Sequence, residues 1–367
     1  MKRVVCGFLL AWFPSLLVAE EPRLSREDLL QYLSNPRSAG AGNYRYGLRD
    51  SEGNQMDCPS VIDLGDGPGG YAAVYHSSYQ AGGGRRYKIH LATSDDLINW
   101  TFRMTLVDNA DMPSLTRVKG GEWLMMVHEQ WMNATPAGAS RSPSRLGFKL
   151  FHSVADLLEG KVRSSWIAPS FSRSGLDGTP NVYACELVEN DGRREIRAEV
   201  GFHFWDGKRD ANASARIDGL FSAGREPEWQ AVALDAFNAK MISAGVTGNI
   251  GQREQVVVEG GRFSVVEGNL GEPAKSWDQW RIWLYQHGRR EAGLAASGEG
   301  ALTMLAPRTH RGSRAFGNPS VSFVRGAGGK GRRIVISYFL FHEGAAPGEA
   351  GPLIYFFDLE PGAGETP

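Results

Sequence analysis

One short pattern recurs along the chain and limits what it can fold into. Asp57-Cys58-Pro59-Ser60-Val61-Ile62 is echoed by Asp111-Met112-Pro113-Ser114-Leu115, Gly178-Thr179-Pro180-Asn181-Val182 and Gly317-Asn318-Pro319-Ser320-Val321. Each copy runs into apolar and β-branched residues suited to a short strand. The prolines lie 54, 67 and 139 residues apart, and the last interval is about twice the one before it. A copy without proline fills the gap: Gly251-Gln252-Arg253-Glu254 leads into Gln255-Val256-Val257-Val258. A unit of ~50–70 residues present five times predicts a radial repeat fold.

The unit has internal anatomy. Val61–Leu64, Gly69-Gly70 and Tyr71–Tyr75 form the first hairpin pattern, and Leu115–Val118, Gly120-Gly121 and Trp123–Val127 form the second. Glycine pairs supply the positive φ that tight hairpins need. The fourth and fifth copies repeat the arrangement at Val256–Val266 and Val321–Phe341, while the third carries a longer turn between Val182–Val188 and Ile196–Phe204. A third strand follows, clearest at Arg86–Thr93 and repeated at Gly147–Phe151, Trp280–Tyr285 and Leu353–Phe357; Phe102–Val107 supplies a fourth. The last copy ends with three strands, so Tyr44–Arg49 is expected to complete its sheet, which removes exposed edges. The expectation is all-β: one five-bladed β-propeller over residues 43–367 with four-stranded antiparallel blades. Ahead of it, residues 20–42 hold one helix, Ser25–Leu33, opened by Ser25 and acidic residues.

Forty basic and 41 acidic residues leave a net charge of −1, which gives no cationic surface for nucleic acid or an anionic membrane. Met1-Lys2-Arg3, an apolar run from Val4 to Val18 and Ala19-Glu20-Glu21 have the pattern of a cleavable export signal over residues 1–19, predicting a secreted or periplasmic protein. Cys6 would leave with it, and the remaining pair, Cys58 and Cys185, reads as buried small apolar residues for which export permits pairing.

The segment Ala92-Thr93-Ser94-Asp95-Asp96-Leu97-Ile98-Asn99-Trp100, following the acidic Asp57-Cys58-Pro59-Ser60 opening, resembles the five-bladed propeller glycosidases of glycoside hydrolase families 43 and 32. The resemblance spans about residues 44–360 as architecture and implies a secreted enzyme acting on a poly- or oligosaccharide by carboxylate chemistry.

In a propeller the residues before each first strand converge at one mouth of the central channel: Asp57, Asp111, Asp177, Arg253 with Glu254, and Asn318. Several acids on one rim suit glycoside hydrolysis, in which one carboxylate activates water and a protonated one serves the leaving oxygen. The resemblance implies that Asp57 is the base and that Asp111 orients and tunes the acid. The family carries a glutamate on the third blade; here Asp177 is the positional substitute and Glu254 lies on the next blade, so the acid is unassigned. A second ring comes from second-strand ends: His76, His128 with Glu129, His203, Glu267, and His342. Imidazoles at one repeat position suit sugar hydroxyls, and they also permit a divalent cation as cofactor. Arg253 would suit a carboxylated sugar, and Trp131, Trp205 and Trp283 are candidates for stacking on sugar rings. The alternatives are a carbohydrate-binding propeller without catalysis and a metal-dependent enzyme using the histidines.

Overall fold

The computed structural model describes residues 24–65, 70–81, 84–132, 143–190, 193–222, 224–259, 261–272, 275–288, 300–326 and 331–359. The expected export signal, with Gly69 and most of the 326–331 turn, lies outside the described residues.

Five four-stranded antiparallel sheets follow one another around a ring. Blade 1 comprises Asp57–Asp63, Tyr71–Ala81, Gly84–Ser94 and Thr101–Asp108; blade 2 comprises Ala110–Arg117, Leu124–Trp131, Ser144–Phe151 and Ser164–Ile167. Blade 3 is built from Asp177–Asn190, Arg193–Trp205, Asp210–Leu220 and Glu228–Ala233, and blade 4 from Ile250–Val258, Gly261–Asn269, Trp280–Gln286 and Ala301–Met304. Blade 5 takes Phe316–Arg325, Arg332–Leu340 and Gly351–Leu359, and its outer edge is Tyr44–Tyr46, which pairs antiparallel with residues 353–355. The two ends of the propeller sequence therefore close the ring together.

The core lies between blades. Val74, Ile89, Leu115 and Met126 pack blade 1 on blade 2; Val127, Phe148, Val200 and Ile217 join blades 2 and 3; Tyr75, Val335 and Ile354 join blades 5 and 1. The helix Arg26–Ser34 carries a capping box between Ser25 and Asp28 and buries Leu29 and Leu33 against blades 4 and 5. Tyr338 and Tyr355 donate their hydroxyls to the last carbonyls of this helix, Leu33 O at 3.0 Å and Tyr32 O at 3.1 Å. A further helix, Asp235–Ser243, links blades 3 and 4 and seats Phe237 on Tyr285. The Ser94–Trp100 segment is a local device: Asp96 accepts from the backbone of Ile98 and Asn99 at 2.9 and 2.7 Å, which turns the third strand into the fourth.

A bulge recurs in every blade. Pairing between first and second strands slips between Asp57 and Ser60, Asp111 and Ser114, Gly178 and Asn181, Ile250 and Arg253, and Gly317 and Ser320. In the four proline-bearing copies the residue before proline sits in the left-handed region: Cys58, Met112, Thr179 and Asn318 have φ of 53°, 47°, 46° and 47°. Such a conformation costs on the order of 1 kcal/mol or more and persists where its surroundings fix it. The neighbouring blade supplies that fixing. Met112 N–H donates to His76 Nδ1 at 3.3 Å, Thr179 N–H to Glu129 Oε2 at 3.0 Å, and Asn318 N–H to the Glu267 carboxylate.

Candidate active site

The bulge aims the residue ahead of it at the channel mouth. That position holds Asp57, Asp111 and Gly178, whose partners on the second strands are His76, Glu129 and His203. In blade 5 it holds Gly317 opposite Phe339, and in blade 4 Gly251 lies against Glu267. The ring thus holds Asp57, Asp111, Gly178 and Gly317, backed by His76, Glu129, His203 and Phe339; in blade 4 the residue ahead of the slip is the buried Ile250, opposite Gly268, and Gly251 after it leaves room for Glu267. A cavity of about 400 Å³ opens over it, with Asp57, Asp111, Asp210 and Glu267 among its lining carboxyl groups and His76 and His203 beside them.

Asp57 is held from two sides. His76 Nε2 lies 3.3 Å from its Oδ2, and the Asn318 side-chain amide donates to its Oδ1 at 3.2 Å. Its side chain keeps 17% exposure, enough to meet a bound water. Asp111 is 5% exposed, and its Oδ1 is enclosed with no hydrogen-bond partner among the described residues. Burial first, then the charges of Glu129 and Asp57, push its carboxyl well above the usual range, with the Trp131 indole offering partial compensation. Burial also raises Glu129, opposed by His203 and by hydrogen bonds from Ser144 and the Thr179 N–H. The half-buried Tyr87 phenol, facing Asp111 and Asp57, is raised as well.

The remaining expected site residues are placed elsewhere. Asp177 lies one residue before the ring position, and its carboxylate accepts from Ser170 Oγ and from the N–H groups of Phe171 and Ser172 at 2.9, 2.7 and 2.8 Å. It closes a loop instead of facing the cavity. Glu254 lies past the blade 4 bulge, in a second cavity of about 260 Å³ along the channel, where burial lifts it to about 8. His128 alternates with Glu129 and points the other way, packed against Gly147; burial lowers it to about 3. His342 is exposed in a turn beyond the second strand of blade 5. The expected histidine ring therefore reduces to His76 and His203. The Arg253 side chain lies outside the described residues, and Asn318 enters the cavity through its amide. Among the described residues no group of three or more His, Cys, Asp or Glu side chains is placed to hold a metal ion. Cys58 and Cys185 are both buried and form no disulfide with each other.

Sequence reasoning also missed one wall. Trp277 and Trp280 stack at 6.4 Å between ring centroids, and Phe341 lies 5.3 and 5.6 Å from them. All three line the cavity. Trp277 is 39% exposed, whereas Trp283, an expected stacking residue, is buried behind blade 4.

The fold is that of the five-bladed glycosidase propellers. A protein solved as an RGII complex superimposes with TM-score 0.53 at 12% identity over 90% of this protein and 94% of its own length. A thermostable family-43 glycoside hydrolase gives 0.50 at 11%, covering 88% and 96%. The family-43 protein BlXynB from Bacillus licheniformis gives 0.50 at 12%, covering 84% of this protein and 53% of its own length. No family model matches the sequence, and no curated protein is similar to it. At these identities the likeness concerns the fold.

Proposed function

We propose that this protein hydrolyses a glycosidic bond of a poly- or oligosaccharide in the mouth of its channel, and that the segment 1–19 directs its export. The observation that carries the reading is the pair Asp57 and Asp111, set on adjacent blades by the same bulge and turned into one cavity of about 400 Å³. Asp57 is the base. It accepts hydrogen bonds on one side and keeps solvent access on the other, so a water on it can be deprotonated while attacking the anomeric carbon. The Trp277–Trp280–Phe341 wall gives the sugar a flat apolar face to stack on. The neighbours solved as glycoside hydrolases share the propeller that supports such a site.

A panel of plant and microbial glycans incubated with the purified protein tests the reading. Reducing ends are expected with at least one of them, and Asp57→Asn is expected to lower that rate about 10²–10⁴-fold, the range for a positioned general base. Full activity of Asp57→Asn removes the assignment. The glycine at position 178, where the resemblance implies an acidic residue, favours a second reading: a propeller that binds glycan without turnover. Affinity in calorimetry with no product after prolonged incubation would select it.

A further inference from the structure

Of the five ring positions only two carry a carboxyl group, which leaves the proton donor to be found. We propose that Asp111 delivers the proton to the leaving oxygen, and that Glu129, seated over Gly178 where a third-blade side chain would otherwise stand, is its positioning residue. This rests on the glycosidase reading above.

The geometry of Gly178 comes first. A Cβ built there would overlap the whole Glu129 carboxyl group, whose most distant atom would be 2.7 Å away. Glycine is therefore required because a carboxylate from the second strand of blade 2 already fills the space. The same exchange occurs next door: Glu267 occupies the room over Gly251 and Gly317. Glu129 itself is 4% exposed, lies directly opposite Asp111 across the strand pair, and is fixed by the Thr179 N–H at 3.0 Å. It places a charge behind Asp111 without reaching substrate.

The other carboxyl groups of the cavity are less suited to donate. Asp57 is held by the Asn318 amide and His76. Glu267 is committed to the strained Asn318 N–H. Asp210 begins the third strand of blade 3, two strands out from the ring. Asp111 differs from all three. Its Oδ1 is enclosed without a partner among the described residues, and the groups that face it are Asp57, Glu129, Tyr87, Trp131 and His76 through the adjacent Met112 N–H. Two acids stand in that set, and the exposed Arg85, a cation that shares the cavity lining, pairs with the Tyr87 phenol. A carboxylate so enclosed is unfavourable, and a neutral carboxyl is the lower-energy state.

The step balances without any further reagent. The Asp111 O–H bond breaks as its proton passes to the glycosidic oxygen, which takes the electron pair of the cleaving carbon–oxygen bond. A water oxygen bonds to the anomeric carbon and gives its proton to Asp57. Exchange with solvent then reprotonates Asp111 and deprotonates Asp57.

Leaving-group dependence tests the roles. The probes are 2,4-dinitrophenyl and 4-methoxyphenyl glycosides of whichever sugar the wild-type protein releases. Asp111→Asn is expected to lose about 10³-fold on the methoxyphenyl glycoside, which needs protonation, and less than about tenfold on the dinitrophenyl glycoside, which does not. Asp57→Asn should lose on both alike. Glu129→Gln should move the alkaline limb of the kcat/KM profile to lower pH on the methoxyphenyl substrate, and Glu129→Asp should restore it in part, a pattern that a packing role alone does not produce. Equal losses on both substrates for Asp111→Asn, or the selective loss appearing in Asp210→Asn or Glu267→Gln, overturn the assignment while leaving the glycosidase reading intact. A measurement independent of turnover is the infrared carbonyl band of a protonated carboxyl at neutral pH: it is expected in the wild type and weakened in Asp111→Asn. Because Glu254 also holds a proton at neutral pH, the reading is the difference between wild type and Asp111→Asn: no difference overturns the assignment whether or not a substrate has been found, whereas a clear difference with no hydrolysis of any glycan in the panel refutes the glycosidase reading.

Discussion

Gly178→Ala is the sharpest structural perturbation of this site. The new methyl group would meet all three carboxyl atoms of Glu129 at no more than 2.7 Å, against the 3.4–4 Å of ordinary contact. The clash is with a side chain, so Glu129 must move. Moving it forfeits the charge-assisted bond from Thr179 N–H at 3.0 Å, worth about 1.5–3 kcal/mol, and leaves a buried N–H in a left-handed residue with φ of 46°. Repacking an overfilled site adds about 1–3 kcal/mol. The expected loss is therefore about 2.5–6 kcal/mol. Position 178 is not among the glycines with positive φ, so alanine brings little backbone penalty of its own. Hence in a Glu129→Ala background, where both the obstacle and the bond are already gone, Gly178→Ala should cost less than about 1 kcal/mol. Guanidinium unfolding of the four proteins gives the coupling, expected at about 2–5 kcal/mol. Equal costs of Gly178→Ala in the two backgrounds would show that Glu129 does not occupy the third-blade space, and the argument for its role would fall with it.

Three further outcomes follow from the same geometry. Glu254, lifted to about 8 by burial, keeps a proton between about pH 4.5 and 8 that the unfolded chain has released, so the native state is penalised as pH rises through that window. Glu254→Gln removes the penalty, and thermal melts should show it gaining on the wild type from about pH 5 to pH 9, by on the order of 2–4 kcal/mol at the alkaline end; parallel curves refute the burial argument. Trp277→Ala strips the exposed ring from the aromatic wall and is expected to raise KM about 3- to 10-fold with kcat nearly unchanged, matching about 0.5–1.5 kcal/mol of stacking; a loss confined to kcat would contradict a binding role. Ser25→Ala opens the capping box of the Arg26–Ser34 helix and should cost about 1 kcal/mol in unfolding experiments with no effect on glycan turnover.

The proline repeat made the architecture legible because it is tied to the backbone. Each proline follows a left-handed residue, each such residue makes a bulge, and the bulge opens the first strand of a blade. Blade closure by residues near Tyr44 followed from counting strands. The site was less legible because alternate residues of a strand face opposite ways, so a register error of one residue exchanges its two faces. Asp177 and Gly178, or His128 and Glu129, differ by one position and by everything that matters for chemistry. The deciding signal was nonetheless present: Asp57, Asp111, Gly178 and Gly317 all lie two residues before a proline, whereas Asp177 lies three before. The aromatic wall carried no such marker, since Trp277 belongs to the connection between two strands and Phe341 follows the end of another.

Glycine at the third-blade ring position also bears on whether this protein is catalytic. Loss of a third-blade acid by simple decay would leave room over Gly178, filled by water. That room instead holds Glu129, which accepts the bulge N–H of the next blade just as Glu267 does for Asn318. The two glutamates thus serve the backbone of the repeat, and glycine is the residue that lets them in. One consequence is specific to blade 2, because only there does the buried glutamate stand opposite an aspartate that still lines the cavity. The negative charge that fixes the third-blade bulge also raises the affinity of Asp111 for a proton. On the proposed roles, Glu129 variants should change both stability and the alkaline limb of the pH profile, whereas Glu267 variants should lower stability and, through Asn318 and Asp57, the level of activity without moving that limb.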